Sequence, residues 1–142
     1  MEVDIGGMSV NEKKYLAKII AKNLEDLKVI SALSAGATMR ISDIKYLKSN
    51  QIFLLSMKRI KTENRDYKKK INSILKFDYI LESKSKNIDQ TNKTLVLELI
   101  SINFLKNKEN YEINLIFNNN AHIALTTEAI EATLEDQTEI KK

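Results

Sequence analysis

The stretch Tyr111-Glu-Ile-Asn-Leu-Ile-Phe117, Asn118-Asn-Asn120, Ala121-His-Ile-Ala-Leu-Thr-Thr127, running on to an acidic close at Asp136, decides the fold. Tyr111, Ile113, Leu115 and Phe117 alternate with Glu112, Asn114 and Ile116, and Ile123 and Leu125 alternate with His122, Ala124 and Thr126. A period of two on both sides of a short polar break predicts an antiparallel hairpin with one buried face. Asparagine tolerates positive φ better than other non-glycine residues, so Asn118, Asn119 and Asn120 suit the turn. Beyond Leu125 the apolar phase changes, since Ile130, Ala132 and Leu134 are even-numbered. A bulge near 127–129 or a short terminal helix would produce that change.

Upstream, 94–105 is the most apolar segment. Leu95, Leu97 and Leu99 share one phase, and Ile100, Ile102 and Phe104 the other. This reads as a bulged strand or one buried on both faces. Residues 87–93 read as a loop. In 71–83, Leu75, Phe77, Tyr79 and Leu81 fall on one face of a strand, opposite Lys76, Asp78 and Glu82. Residues 58–70 read as a charged loop. Before it, 39–47 and 52–57 read as a second hairpin turning at Ser49 and Asn50.

The remaining N-terminal part holds the helix. Asn23 is a capping residue, Glu25 and Asp26 suit the positive end of a helix dipole, and Leu24, Leu27 and Ile30 follow at helical spacing. Gly36 is a natural stop, so the spacing predicts a helix over 24–35. Residues 15–21 fit either a helix or a short strand. Residues 1–14 read as a loose leader before a single domain over 15–137.

Composition narrows the function. The chain has 142 residues, 43% of them hydrophobic. At that length folding buries roughly 68–70% of the unfolded chain's surface, which is enough for a core without staples. There is no cysteine, which excludes disulfides, thiolate metal sites and cysteine nucleophiles. Glu2 and Asp4 precede no long apolar run, and nothing reaches the length of a membrane span. A reducing cytoplasm is the expected setting. The net charge of +4 is carried mostly by lysine. A bias toward Lys, Ile and Asn follows from AT-rich coding alone, so clustering of charge is more informative than its total.

Several segments resemble a known family. Glu25-Asp-Leu-Lys-Val-Ile-Ser-Ala32 resembles its E-D-L-x-V-I-S-A segment, and Ser73-Ile-Leu-Lys-Phe-Asp-Tyr-Ile-Leu81, followed by Ser85, Ile88 and Asp89, resembles a second. Glu128, Ile130, Glu131, Ala132, Leu134 and Asp136 match its closing V-E-C-I-E-A-x-L-x-D. The chain thus resembles the bacterial family termed domain of unknown function 2948, from about Leu16 to Asp136. The resemblance implies a cytoplasmic bacterial protein and a strand, not a helix, at 15–21. It implies no activity. Where the family tends to have glycine, this chain has Asn87 and Asn118 to Asn120, the next-best residue for positive φ. The family's N-R-F-R-W-E run is here Lys58-Arg-Ile-Lys-Thr-Glu63, without the tryptophan, and its cysteine is Ala129.

No phosphate-binding glycine loop, nucleophile elbow or zinc motif is present. His122, the only histidine, reads as an exposed neighbour of the turn, because catalysis or metal binding needs partners. Asp43, Asp78, Glu82, Asp89, Glu98, Glu128 and Glu131 are scattered over different elements, and Glu98, inside an apolar strand, is the expected buried structural carboxylate. No catalytic residue, cofactor site or metal site is assigned.

The sharpest charge feature is the run Lys58, Arg59, Lys61, Arg65, Lys68, Lys69 and Lys70, offset by Glu63 and Asp66, with Tyr67 among them. It is either a solvated hairpin loop or a contact for a polyanion or a partner protein. The acidic residues Glu128, Glu131, Glu135, Asp136 and Glu139 give an opposite end that could pair two copies head to tail. The expected fold is α+β: a strongly bent antiparallel sheet or small barrel of six or seven strands with the helix packed on or plugging it. A pleckstrin-like roll is the nearest named alternative, although its usual long C-terminal helix is not evident. The expected function is a non-enzymatic module for a protein partner. Binding of nucleic acid or an anionic surface through 58–70 is the alternative, and an enzyme of unknown type comes third.

Overall fold

The computed structural model describes residues 16–60 and 70–137. They form strands β1 Lys18–Ala21, β2 Thr38–Arg40, β3 Ile44–Leu47, β4 Ile52–Ile60, β5 Lys70–Phe77, β6 Ile80–Lys86, β7 Val96–Asn107, β8 Asn110–Phe117, β9 His122–Thr127 and β10 Ala132–Asp136, with one helix, α1, Leu24–Ser34. The strands pair in the order β1-β10-β5-β4-β2-β7-β8-β9-β6, every pair antiparallel, and β3 also pairs with β4. Ten strands exceed the six or seven expected. The excess comes from breaks within segments that read as single strands. The path ends at β1 and β6, so the sheet is strongly bent but not closed into a barrel.

Two chain segments carry the bend. β5 runs into β6, and β9 into β10, across a corner at 78–79 and 128–131. β5 pairs with β10 on one side of the corner and β6 with β9 on the other. The Asp78 N–H donates to the Glu131 carbonyl at 2.9 Å, and the Thr127 hydroxyl lies 2.8 Å from the Tyr79 carbonyl. Tyr79 takes a φ of 62° there. That left-handed residue shifts the phase, so Ile80 is buried while Tyr79 is exposed. The expectation that Tyr79 continues the face of Leu75 and Phe77 is thereby corrected. The phase change after Leu125 has the same cause: a corner, in place of the expected bulge or helix.

The hairpin β8–β9 follows its alternation. Ile113, Leu115, Phe117, Ile123 and Leu125 are buried, and the register pairs Ile113 with Leu125 and Leu115 with Ile123. Asn119 and Asn120 hold φ of 59° and 61°, and Asn87 holds 61°. β7 carries a bulge between Leu99 and Ser101, which lets Leu97, Leu99 and Ile102 all face inward. Glu98 therefore lies on the outward phase and is exposed, which corrects its reading as a buried carboxylate.

Helix α1 starts as its sequence dictates, with the Asn23 side chain accepting the Asp26 N–H at 2.9 Å. It buries Leu27 and Ile30 in the same interior as the strands, worth about 1.5–3 kcal/mol for each side chain. Ser31 accepts the Ile102 N–H at 2.9 Å and so ties the helix to β7. Gly36 follows at φ 88°, and a Cβ there would stand 3.3 Å from Ile60 Cδ1. Residues 18–21 are a strand, as the resemblance implied. The segment at 132–136 is also a strand, where a pleckstrin-like roll has its long helix.

Candidate functional site

The outer face of β1, β10, β5, β4 and β2 gathers the exposed charge. The register sets out rows across it: Glu98, Thr38, Lys58 and Asn72 in one, Lys18, Glu135, Ile74 and Ser56 in a second, and Ile20, Thr133, Lys76, Leu54 and Lys45 in a third. Lys70 stands opposite Ile60 at the end nearest residues 61–69. Directly opposed residues share a face, so Lys18, Lys45, Lys58, Lys70 and Lys76 lie together against Glu98 and Glu135. Lys76 is drawn toward Asp78, with Nζ at 3.7 Å.

A depression of about 470 Å³ opens in this surface, lined by residues of β2, β4, β5 and β7 and by Asp43. Arg40, Ser56, Lys58, Asn72 and Val96 form its exposed rim, and Met39, Met57 and Ser73 are its buried lining. Val96 is 54% exposed, which leaves an aliphatic side chain beside two cations. The Asp43 carboxylate accepts the Arg40 backbone N–H at 3.0 Å, closing the turn after β2.

The residues of the basic run part company. Lys58 and Lys70 are exposed on the outer face. Lys61, Arg65, Tyr67, Lys68 and Lys69 lie outside the described residues. Arg59 faces the opposite way. It is fully buried, and its guanidinium donates from Nε to Asp136 Oδ1 at 2.9 Å and from Nη2 to Asp136 Oδ2 at 2.8 Å. Arg59 is therefore removed from the expected polyanion or partner contact. It takes the inward phase of Phe53, Leu55 and Met57 along β4.

Asp136 belongs to the acidic end that could pair two copies, yet it too points inward. Its Oδ1 also accepts the Ser73 hydroxyl at 2.6 Å, and its Oδ2 accepts the Ala17 N–H at 2.8 Å. Burial alone would raise its pKa. The hydrogen bonds from Arg59, Ser73 and Ala17, with the attraction of the Arg59 charge, outweigh burial and hold the carboxyl below its ordinary value. This cluster ties β4, β5, β10 and the residues before β1. It was the main feature missed, and phase alone could have revealed it: Asp136 follows Ala132 and Leu134 at a spacing of two.

The remaining candidates stay apart. His122 is half-buried, not exposed, with Nε2 2.9 Å from Asn114 Oδ1 on the neighbouring strand. Among the described residues Asp136 is the one buried carboxylate, and no group of three or more His, Asp or Glu is placed to hold a metal ion. Among them, too, no helix is long and apolar enough to cross a membrane.

Sheet, helix and surface define a small α+β domain built on an open, bent antiparallel sheet. The chain belongs to the family described as protein of unknown function, DUF2948, whose pattern matches residues 17–142. No curated protein matches the chain, and no solved structure does. The segments that carry the resemblance hold the scaffold together: Ser31 joins the helix to β7, and Arg59, Ser73 and Asp136 meet in the interior.

Proposed function

We propose that this protein is a non-enzymatic interaction module of the bacterial cytoplasm that binds an acidic segment of a partner protein on the outer face of β2, β4 and β5. The observation that carries the reading is the depression rimmed by Arg40, Lys58 and Val96. Its cations stand among aliphatic side chains, Val96 and Ile74, and the rows around it contain no aromatic residue. Aliphatic contacts framed by cations suit a protein surface bearing carboxylates. Nucleic-acid binders that use a sheet commonly stack bases on aromatic rings. The only buried carboxylate among the described residues is engaged by Arg59 and Ser73, which supports a scaffold role for it over a catalytic one.

Nucleic acid is the second reading. It is favoured by the sequence continuity between Lys58, Lys70 and the basic run that carries Lys61, Arg65, Tyr67, Lys68 and Lys69. One experiment separates the two: affinity capture from the native cell with the wild-type protein and with Arg40→Glu/Lys58→Glu, at low and high salt, with and without nuclease. A protein captured only by the wild type, lost at high salt and retained after nuclease supports the first reading. Capture abolished by nuclease supports the second. Identical capture by both proteins overturns both.

A further inference from the structure

The open path of the sheet leaves a second hollow, bordered by the inward-phase residues of β3 and β4. Among the described residues β3 pairs only with β4, and β6 only with β9, so these two strands border the hollow without pairing to one another. The space between them is bridged at both ends. At one end the Tyr46 hydroxyl donates to the Ile80 carbonyl at 2.9 Å, and the Ile80 N–H donates to the Gln51 carbonyl at 2.8 Å. At the other, the Ile41 and Ser42 N–H groups donate to the Leu95 and Lys93 carbonyls at 3.1 and 3.3 Å. The loop that closes this end is fixed by Asp89, whose carboxylate accepts the Thr91 hydroxyl at 2.6 Å and the Thr91 N–H at 3.1 Å.

The half-open hollow has a volume of about 320 Å³, within the roughly 300–1,000 Å³ typical of small-molecule sites. The reason for the hollow is legible in β6. Ser83 and Ser85 stand opposite Leu125 and Ile123, on the inward phase where the other strands carry large apolar side chains. Two small hydroxyl residues leave unfilled the volume that two leucines would occupy. Polarity is graded with depth. Phe53 and Ile123 are buried at the bottom, Ile44 and Ile88 form half-buried walls, and Gln90 and Lys93 are exposed at the mouth. Among the described residues lining it, Lys93 alone is charged.

We infer that the hollow between β3 and β6 is a binding site for a small monocarboxylate with an aliphatic body, the chain seated on Phe53 and Ile123 and the carboxylate at Lys93. The apolar floor selects the body and the single cation selects the sign of the head group. Ser83 and Ser85 act by their small size, and the exposed Ser85 hydroxyl accepts the Gln90 side-chain N–H at 2.6 Å at the mouth.

The test uses the full chain labelled at isoleucine methyl groups, titrated with sodium octanoate and, separately, with 1-octanol as its neutral twin. Saturable shifts confined to Ile41, Ile44, Ile88 and Ile123 are expected, with octanoate bound about tenfold more tightly than octanol, as one good charge-assisted contact provides. Lys93→Met removes that preference and leaves octanol unchanged. Ser85→Leu fills the hollow and abolishes both titrations. Should Ser85→Leu fail to fold, the octanoate–octanol contrast and Lys93→Met still decide. Shifts that do not saturate, that centre on other methyls, or that are equal for both compounds overturn the inference, as does a Lys93→Met protein that keeps the preference.

Discussion

The Arg59 guanidinium meets the Asp136 carboxylate edge to edge, through two hydrogen bonds of 2.9 and 2.8 Å, with both side chains wholly screened from solvent. A bidentate pair of this kind has strong geometric preference. Its desolvation cost is large, however, so its value lies in the cost of breaking it rather than in its net stability. Asp136→Ala leaves a buried guanidinium without its carboxylate, and the expected loss is about 3–5 kcal/mol, read from urea denaturation. A loss below 1 kcal/mol, on the scale of an exposed pair, contradicts the interior placement.

The same carboxylate predicts how stability depends on pH. Its folded pKa is lowered, so the folded state favours the ionised form more than the unfolded chain does. The corresponding stabilisation is fully present above the unfolded value of about 3.9 and is lost as pH falls through the lower folded value. Below about pH 4 the urea midpoint of the wild type should therefore fall more steeply than that of Asp136→Asn. Parallel pH profiles for the two proteins count against it.

Phe117 is 2% exposed at the end of β8. Truncation to alanine removes most of a large core side chain and is expected to cost about 3–5 kcal/mol. An unchanged denaturant midpoint would take Phe117 out of the core.

The asparagine turn divides its work. Asn119 and Asn120 supply positive φ, whereas the Asn118 side chain accepts the Glu98 N–H at 3.0 Å. Glycine at 119 or 120 is expected to lie within about 1 kcal/mol of the wild type, and valine at either to cost at least ~1–2 kcal/mol through the left-handed backbone. Asn118→Ala should cost ~0.5–1.5 kcal/mol through the lost hydrogen bond. Thermal melts of the set test this division, and equal tolerance of valine at 119 and at 118 would refute it.

How legible the fold was depended on the range of the forces involved. The hairpin at 111–127, the capped helix and the left-handed asparagines follow from alternation and backbone preference, which act within a few residues. Leu75, Phe77, Leu97, Leu99, Ile113, Leu115, Phe117, Ile123, Leu125, Leu27 and Ile30 line one interior, as their phases indicate. The corner at Tyr79 escaped, because a single left-handed tyrosine in an alternating run carries no local mark. Arg59 and Asp136 escaped because charge is read as exposure until a partner is known, and theirs stand 77 positions apart. The depression rimmed by Arg40 and Lys58 depends on pairing across β2, β4 and β5, which no local pattern records. Charge density singles out Lys58, Arg59 and Lys70 alike, and only the fold separates the exposed Lys58 and Lys70 from the buried Arg59.

The pairing of β1 with β10 has a consequence for synthesis. Lys18 aligns with Glu135, and among the described residues β1 has no other strand partner. A chain made from its N-terminus must leave β1 unpaired until 132–136 has cleared the ribosome. β5 waits as well, since one of its two edges belongs to β10. The nascent chain therefore carries an open strand edge, that of Leu75 and Phe77, from the emergence of β5 until that of β10. Such edges are templates for pairing with other chains, so the interval before β10 docks is when this protein is most exposed to aggregation.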